Sequence, residues 1–312
     1  MTSRSDASPV SSHVPRQHTV ELSAGVIEYE DTGGDGPVVV LLHGLLMDAT
    51  LWDAVVAELG AGYRCVAPTL PLGAHRRAMG PDADLSLTGV ARLVGEFVES
   101  LDLREVTLVG NDTGGALVQV LAAGAAGRPS SDGTGRDGRT DRIGRIVLVS
   151  CDAFDNFPPG LTGRTLVAAG RLSPRLFGLF MQQMRVRFVR RLPIAFGWLT
   201  KRGDAVTARW MAPVLKQPEI RRDTVRALRA MARDKRALRE ASEAMNGFDR
   251  PACVVWAVED RVMPLEHGRR LAAALPRGRL VEVQDSYTLI PLDQPEPLAR
   301  AIAEAVHVDL AA

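Results

Sequence analysis

The stretch VTLVGNDTGGALVQ, residues 106–119, sets an aspartate among glycines, with Gly110, Asn111, Asp112, Thr113 and Gly114 reading G-x-D-x-G. An apolar run precedes it and small helix-compatible residues follow, which is the context of a strand-to-helix elbow that presents a nucleophile. The glycines permit the backbone angles and close packing that such a turn needs. A carboxylate raised there can attack carbon and form an ester, or move protons if burial lifts its pKa. An Asx-turn aspartate with no chemistry is the plainer alternative.

Other groups with chemical potential lie in loops expected at the same edge of a sheet. His75, in APTLPLGAHRRAM, follows the fourth apolar run and is of the side-chain type that most often serves as general acid or base. A surface histidine beside Arg76 and Arg77 is the competing account. The segment VSCDAFDNFPPG brings Cys151, Asp152, Asp155 and Asn156 toward a cavity mouth, and QDSYT brings Asp285 and Tyr287. If Asp112 is enclosed near Asp155 or Asp285, desolvation and like charge both raise its pKa and favour a shared proton.

The elements that must hold these groups alternate. Short β-rich runs are expected at 19–22, 26–30, 38–42, 64–67, 106–109, 146–149, 253–257 and 280–283, with helical patterns at 52–59, 87–101, 116–125, 265–275 and 296–306. Such alternation argues for a mostly parallel sheet covered on both faces. Residues 157–248 break it, being Arg-rich and strand-poor with helical spacing, and read as a helical cap. Arginine stripes of that kind usually face solvent. The apolar faces bearing Met181, Met184, Phe188, Phe196 and Trp198 are expected to pack against cap helices or over a cleft. Residues 127–141, GRPSSDGTGRDGRTD, have nothing to bury and read as a surface loop. Residues 1–17 read as a disordered tail without a signal-peptide core.

Composition narrows the function classes. A net charge of +1 over 312 residues gives no electrostatic case for nucleic acid or an anionic membrane. Cys65, Cys151 and Cys253 are widely spaced in apolar contexts, which suggests buried thiols and neither a metal cluster nor a disulfide framework. No apolar run approaches the roughly 18 residues of a membrane span, and no phosphate or dinucleotide loop spacing occurs. The expectation is a cytoplasmic protein with no cofactor, no nucleic acid or membrane partner, and a small, largely apolar molecule as ligand.

VVVLLHGLLMDATLWDAVVAEL, LVGNDTGGALVQ and PACVVWAVEDRVMP, in that order, resemble the strand–HG loop–helix, the elbow and the acid loop of the α/β-hydrolase fold. The resemblance runs from about residue 20 to the C-terminus. It implies an eight-stranded, mostly parallel sheet formed by 18–156 and 249–312, with the 157–248 cap inserted after strand six. An aspartate at the elbow is similar to the haloalkane dehalogenase and epoxide hydrolase branch. The resemblance implies Asp112 as nucleophile and Asp260 as the acid that orients a base, although Asp260 also suits a helix N-cap before Pro264. It also implies backbone donors at Thr113 and at Leu45, after His43 and Gly44, forming the oxyanion or substrate-binding wall.

The pattern then departs. Thr288, in VQDSYTLIPLDQPEPLA, stands where the resemblance puts the histidine, and no histidine occurs between His267 and His307. A threonine hydroxyl does not titrate near neutrality, and loss of the histidine from a nucleophilic triad costs on the order of 10⁴ to 10⁶ in rate. Thr113 and Leu45 also occupy the positions where dehalogenases of this branch place a halide-binding tryptophan and asparagine, and no tyrosine lies in the cap. Three readings remain: a hydrolase with an unorthodox water-activating group; a lyase, isomerase or cyclase using Asp112 as acid and base; and a non-catalytic binder of a small apolar molecule.

Overall fold

All eight apolar runs form strands. A computed structural model describes residues 15–125 and 142–308; the loop expected at 127–141 and most of the tail expected at 1–17 lie outside the described residues. The strands are β1 (Arg16–Leu22), β2 (Gly25–Asp31), β3 (Val38–Leu42), β4 (Arg64–Thr69), β5 (Val106–Asp112), β6 (Ile143–Cys151), β7 (Ala252–Ala257) and β8 (Gly278–Val283). Arg16 and Gln17, assigned to the tail by sequence, belong to β1, where antiparallel pairing with Asp31 and Glu30 recruits them.

The strands form one sheet in the order β1-β2-β4-β3-β5-β6-β7-β8. Pairing is antiparallel between β1 and β2 and between β2 and β4, and parallel elsewhere. Central β5 and β7 are buried at every position, as strands covered on both faces must be. The covering helices are α1 (Asp53–Leu59), α2 (Leu87–Ser100), α3 (Thr113–Ala125), then α11 (Leu265–Ala274), α12 (Ile290–Asp293) and α13 (Pro295–Val306) after the cap. α1 packs on α13 and α2 on α3. Ser86 caps α2 by accepting from the Gly89 N–H at 3.0 Å, a contact that contributes about 1 kcal/mol. Cys65, Cys151 and Cys253 are buried free thiols.

Between β6 and β7 come α4 (Gly160–Ala169), α5 (Pro174–Met181), α6 (Arg187–Arg190), α7 (Asp204–Trp210), α8 (Ala212–Lys216), α9 (Pro218–Arg233) and α10 (Lys235–Glu243). α9 and α10 are separated at Asp234, whose carboxylate accepts from the backbone N–H and the hydroxyl of Thr88 at the start of α2. Met181, Met184 and Phe196 are buried as expected, but Phe188 is 74% exposed, because α6 is a single turn whose buried member is Arg190.

Buried acids pin these helices to the sheet. Asp293 Oδ1 accepts from the Thr200 hydroxyl at 2.7 Å and from the backbone N–H groups of Lys201 and Arg202. Asp223 of α9 is fully buried and accepts from the Met79 N–H at 2.8 Å and from Arg226 at 3.1 Å. Burial works against its charge, yet these donors and His75 hold its pKa below the usual carboxylate value. Replacing Asp223 by alanine strands the buried Met79 N–H and removes the acid that faces His75 and Arg226, so Asp223→Ala is expected to lose roughly 2–4 kcal/mol in urea unfolding. An unchanged unfolding midpoint would remove this joint from the account.

Candidate active site

β5 runs into α3 with no loop between them, and the residue at the junction, Asp112, has φ +56°. A non-glycine residue in that region is strained and persists only where its surroundings impose it. Two glycines make room for the bend. A Cβ on Gly114 would stand 2.3 Å from the Leu42 carbonyl oxygen, and one on Gly44 would stand 2.6 Å from Asp112 Oδ2. The HG loop therefore presses directly on the carboxylate, which only a bare backbone allows.

Asp112 is 6% exposed. It lines an apolar cavity of about 30 Å³ with Leu45, Thr113, Val262 and Met263 from the core and Leu166 and Phe196 from the cap. So small a space holds little more than water. Among the lining residues Asp112 alone titrates. Burial pushes its pKa up to about 7, the nearby Asp260 charge adds to the rise, and hydrogen bonds from the Thr113 backbone N–H and hydroxyl oppose it.

Behind Thr113 lies a second carboxyl. The Thr113 hydroxyl is 3.4 Å from Asp112 Oδ1 and 3.1 Å from Asp152 Oδ2, and its one proton serves one of them at a time. Asp152 is fully buried, and its Oδ1 has no hydrogen-bond partner among the described residues. Burial first, and the Asp112 charge second, raise its pKa well above the usual value. Burial therefore favours the protonated form of Asp152, and a proton there can be passed to Asp112 through the Thr113 hydroxyl.

The acid loop and the loop after β8 meet as the resemblance implies. Asp260 Oδ1 accepts from the backbone N–H groups of Val262 and Met263 at 3.0 and 2.9 Å and from the Thr288 hydroxyl at 2.8 Å. Burial raises its pKa against these bonds. Asn111, beside Asp112, donates to the carbonyls of Val149 and Thr288 at 2.9 and 2.8 Å. The elbow is therefore tied to both neighbouring loops.

Five residues expected at the site lie elsewhere. His75 is buried, but its Nδ1 accepts from the Gly73 N–H and its Nε2 faces Asp223 Oδ2 at 3.6 Å. It sits at the joint with α9 and not on the Asp112 cavity. His43 accepts from the Leu70 N–H at Nε2, so its Nδ1 carries the proton and donates to the Gly44 carbonyl, both at 2.8 Å. Burial lowers its pKa to about 4, and this neutral ring braces the HG loop from behind. Asp155 is exposed and lies 3.9 Å from Arg239. Tyr287 lies outside the cavity, with the Arg261 guanidinium over its ring at 3.7 Å. Asp285 is exposed and held by Lys201 and Arg202, so the like charge acting on Asp112 comes from Asp260 instead.

Sequence reasoning undervalued Asp152 and Asn111. The signal for each was adjacency, to the end of β6 and to the elbow respectively. Of the remaining described histidines, His18 stacks on Tyr29, His267 packs its ring on Phe154 and His307 meets the Tyr63 hydroxyl. None of the described histidines hydrogen-bonds Asp112.

A profile of the alpha/beta hydrolase family matches residues 39–301. Haloalkane dehalogenase 2 of Mycobacterium tuberculosis is 28% identical over 299 residues, covering 91% of this chain and 92% of that protein. A haloalkane dehalogenase of Mesorhizobium japonicum is 29% identical over 123 residues, 39% of each chain. Among solved structures, haloalkane dehalogenase DbeA from Bradyrhizobium elkani superposes with TM-score 0.72 at 17% identity, covering 94% of this chain and 98% of that one. A thermophilic esterase from Thermogutta terrifontis gives 0.66 at 22% identity, covering 94% and 100%. At such identities the structural likeness is one of fold.

Thr113→Val keeps the side-chain shape and removes the hydroxyl that favours the ionised form of Asp112. Its carboxyl midpoint, followed by ¹³C NMR, is expected to move above about 7. A downward or absent shift would contradict the hydrogen-bond assignment.

Proposed function

Because this chain belongs to the alpha/beta hydrolase family, we propose that it is a hydrolase of a small, largely apolar electrophile with Asp112 as its nucleophile. The observation that carries this reading is the placement of Asp112, at positive φ on the strand–helix junction and facing a cavity roofed by apolar side chains. An ionised Asp112 oxygen attacks a saturated carbon, and the leaving group departs with its bonding pair. Closure of the cap excludes water while the ester forms. The names of the relatives make carbon–halogen and related electrophiles the first to try.

Hydrolysis of that ester occurs at the Asp112 carboxyl carbon. Water adds there, negative charge collects on the aspartate's own oxygen, and the substrate leaves as an alcohol carrying one of the water's protons. The Thr113 N–H already bonds this carboxyl at the N-terminus of α3, where the helix dipole favours negative charge. The other proton is harder to remove. Thr288 fills the position beside Asp260, and its hydroxyl is no base. Asp152, reached through the Thr113 hydroxyl, has its pKa raised by burial first and the Asp112 charge second, which favours its protonated form. Water activation is therefore the slow step, and the ester accumulates.

One observation favours a second reading. A carboxyl with a pKa of about 7, joined through the Thr113 hydroxyl to a second buried carboxyl whose pKa is also raised, suits proton transfer without a covalent bond, as in a lyase, isomerase or cyclase.

Incubation with small alkyl halides or epoxides is expected to leave an adduct on the peptide bearing Asp112, detected by mass spectrometry and absent in Asp112→Asn. The rate of adduct formation should rise with pH through about 7 and level above it, because the nucleophile is the ionised form. Thr288→His should convert accumulation into turnover by about tenfold or more, a fraction of the 10⁴ to 10⁶ that such a histidine contributes. Catalysis that survives Asp112→Asn with no adduct in the wild type would overturn the covalent reading. Activity lost in Asp112→Asn with no adduct would favour the second.

A further inference from the structure

The formal charge of +1 conceals a separation of charge along the chain. Residues 157–248 hold 19 of the 38 Lys and Arg but 6 of the 37 Asp and Glu, a net +13, which leaves −12 on the rest. No acid occurs between Asp155 and Asp204. The whole-chain balance that argued against an anionic surface as partner averages two opposed halves.

The same stretch carries the exposed apolar side chains. Of seven large hydrophobic residues exposed among the described residues, six lie between Leu161 and Phe188. Leu176 and Leu179 are exposed on α5, and Leu172 is exposed just before its Ser173 N-cap, while the same helix buries Phe177 and Met181. Val186 and Phe188 continue the ridge into α6. Arg175, Arg185 and Arg191 are exposed along it, with no acidic partner among the described residues. At the Leu172 end lies a groove of about 360 Å³ lined by Arg171, Arg229 and Arg233 with Val167, Leu228 and Ala232. Arg229 is already occupied by the carbonyls of Gly170, Arg171 and Leu172, which leaves two guanidinium groups for an outside anion.

The occupant must satisfy leucines and arginines together. A second copy placed cap to cap sets +13 against +13. Placed cap to core it finds charge but little apolar surface, since the other exposed large hydrophobic is Val308. An anionic bilayer supplies both, with phosphates at the surface and hydrocarbon just beneath. No described helix is long and apolar enough to cross a membrane, so the contact is a surface one. We propose that the outer face of α5 and α6 docks on an anionic lipid bilayer, with Leu172, Leu176, Leu179, Val186 and Phe188 entering the headgroup boundary and the surrounding arginines taking lipid phosphates. α4, which lines the cavity above Asp112 through Thr162 and Leu166, ends at Ala169, beside this face. Docking thus brings the cavity roof close to any apolar molecule dissolved in the bilayer, and it does not depend on the chemistry at Asp112.

The test is co-sedimentation of the full chain with phosphatidylcholine vesicles, with and without phosphatidylglycerol, at low and high salt. Binding is expected only with phosphatidylglycerol, and high salt should weaken it. The double substitution Leu179→Ser/Phe188→Ser should weaken it about tenfold or more. The triple substitution Arg175→Gln/Arg185→Gln/Arg191→Gln should weaken it on the order of a hundredfold, about fivefold per arginine. All five positions are exposed, so an unchanged thermal midpoint is expected and verifies folding in each variant. Absence of binding, equal salt-insensitive binding to neutral vesicles, or full binding by both variants would overturn the proposal. So would a concentration-dependent dimer abolished by Leu179→Ser/Phe188→Ser, which would assign the face to a second copy.

Discussion

A carboxylate kept out of water is the constraint around which the molecule is arranged. Asp112 is enclosed under apolar side chains, and burial is the largest influence on its pKa. An isolated buried charge is expensive enough that the group either neutralises or acquires donors. Here it does some of each: its pKa rises to about 7, and Thr113 supplies a backbone N–H and a hydroxyl. The bend at φ +56° and the bare backbone of Gly44 hold it in the place where this compromise is made.

The rest of the site follows from that choice. The buried Asp152 shares the Thr113 hydroxyl, and burial together with the Asp112 charge raises its pKa, since two neighbouring buried carboxyls do not both ionise readily. Asp260 accepts from two backbone donors and from the Thr288 hydroxyl. The cap is held by acids of a different kind: Asp223 and Asp293 are buried but richly donated to, and their work is to join layers.

The fold was legible because its signals are local. Alternating short apolar runs and helical patterns marked every strand, and the elbow was readable since a glycine-flanked polar residue between strand and helix has few other uses. The site was legible only in part, because depth and direction are tertiary properties. Asp155 and Asp152 are three residues apart, yet β6 runs through Cys151 and leaves Asp152 in the interior, while Phe154 adopts φ +54° and Asp155 emerges into solvent. Tyr287 and Thr288 are adjacent, but the first rises to meet Arg261 and the second turns inward to Asp260. His75 sits in the expected loop, but α9, more than a hundred residues later in the chain, brings Asp223 across to meet it. Net charge likewise conceals how charge is distributed between cap and sheet.

The most direct test concerns the energy of the buried charge. Between about pH 4 and 7 the folded protein keeps a proton on Asp112 that the unfolded chain has released, so this residue makes stability fall as pH rises. A change from 3.8 to about 7 corresponds to up to roughly 4 kcal/mol. Unfolding free energies of the wild type and Asp112→Asn, measured across this range, should diverge as pH increases, with the asparagine protein gaining progressively and the difference levelling above about 7. A difference that stays flat with pH, or that grows in favour of the wild type, would show that the carboxylate is not desolvated and would remove the basis of the account.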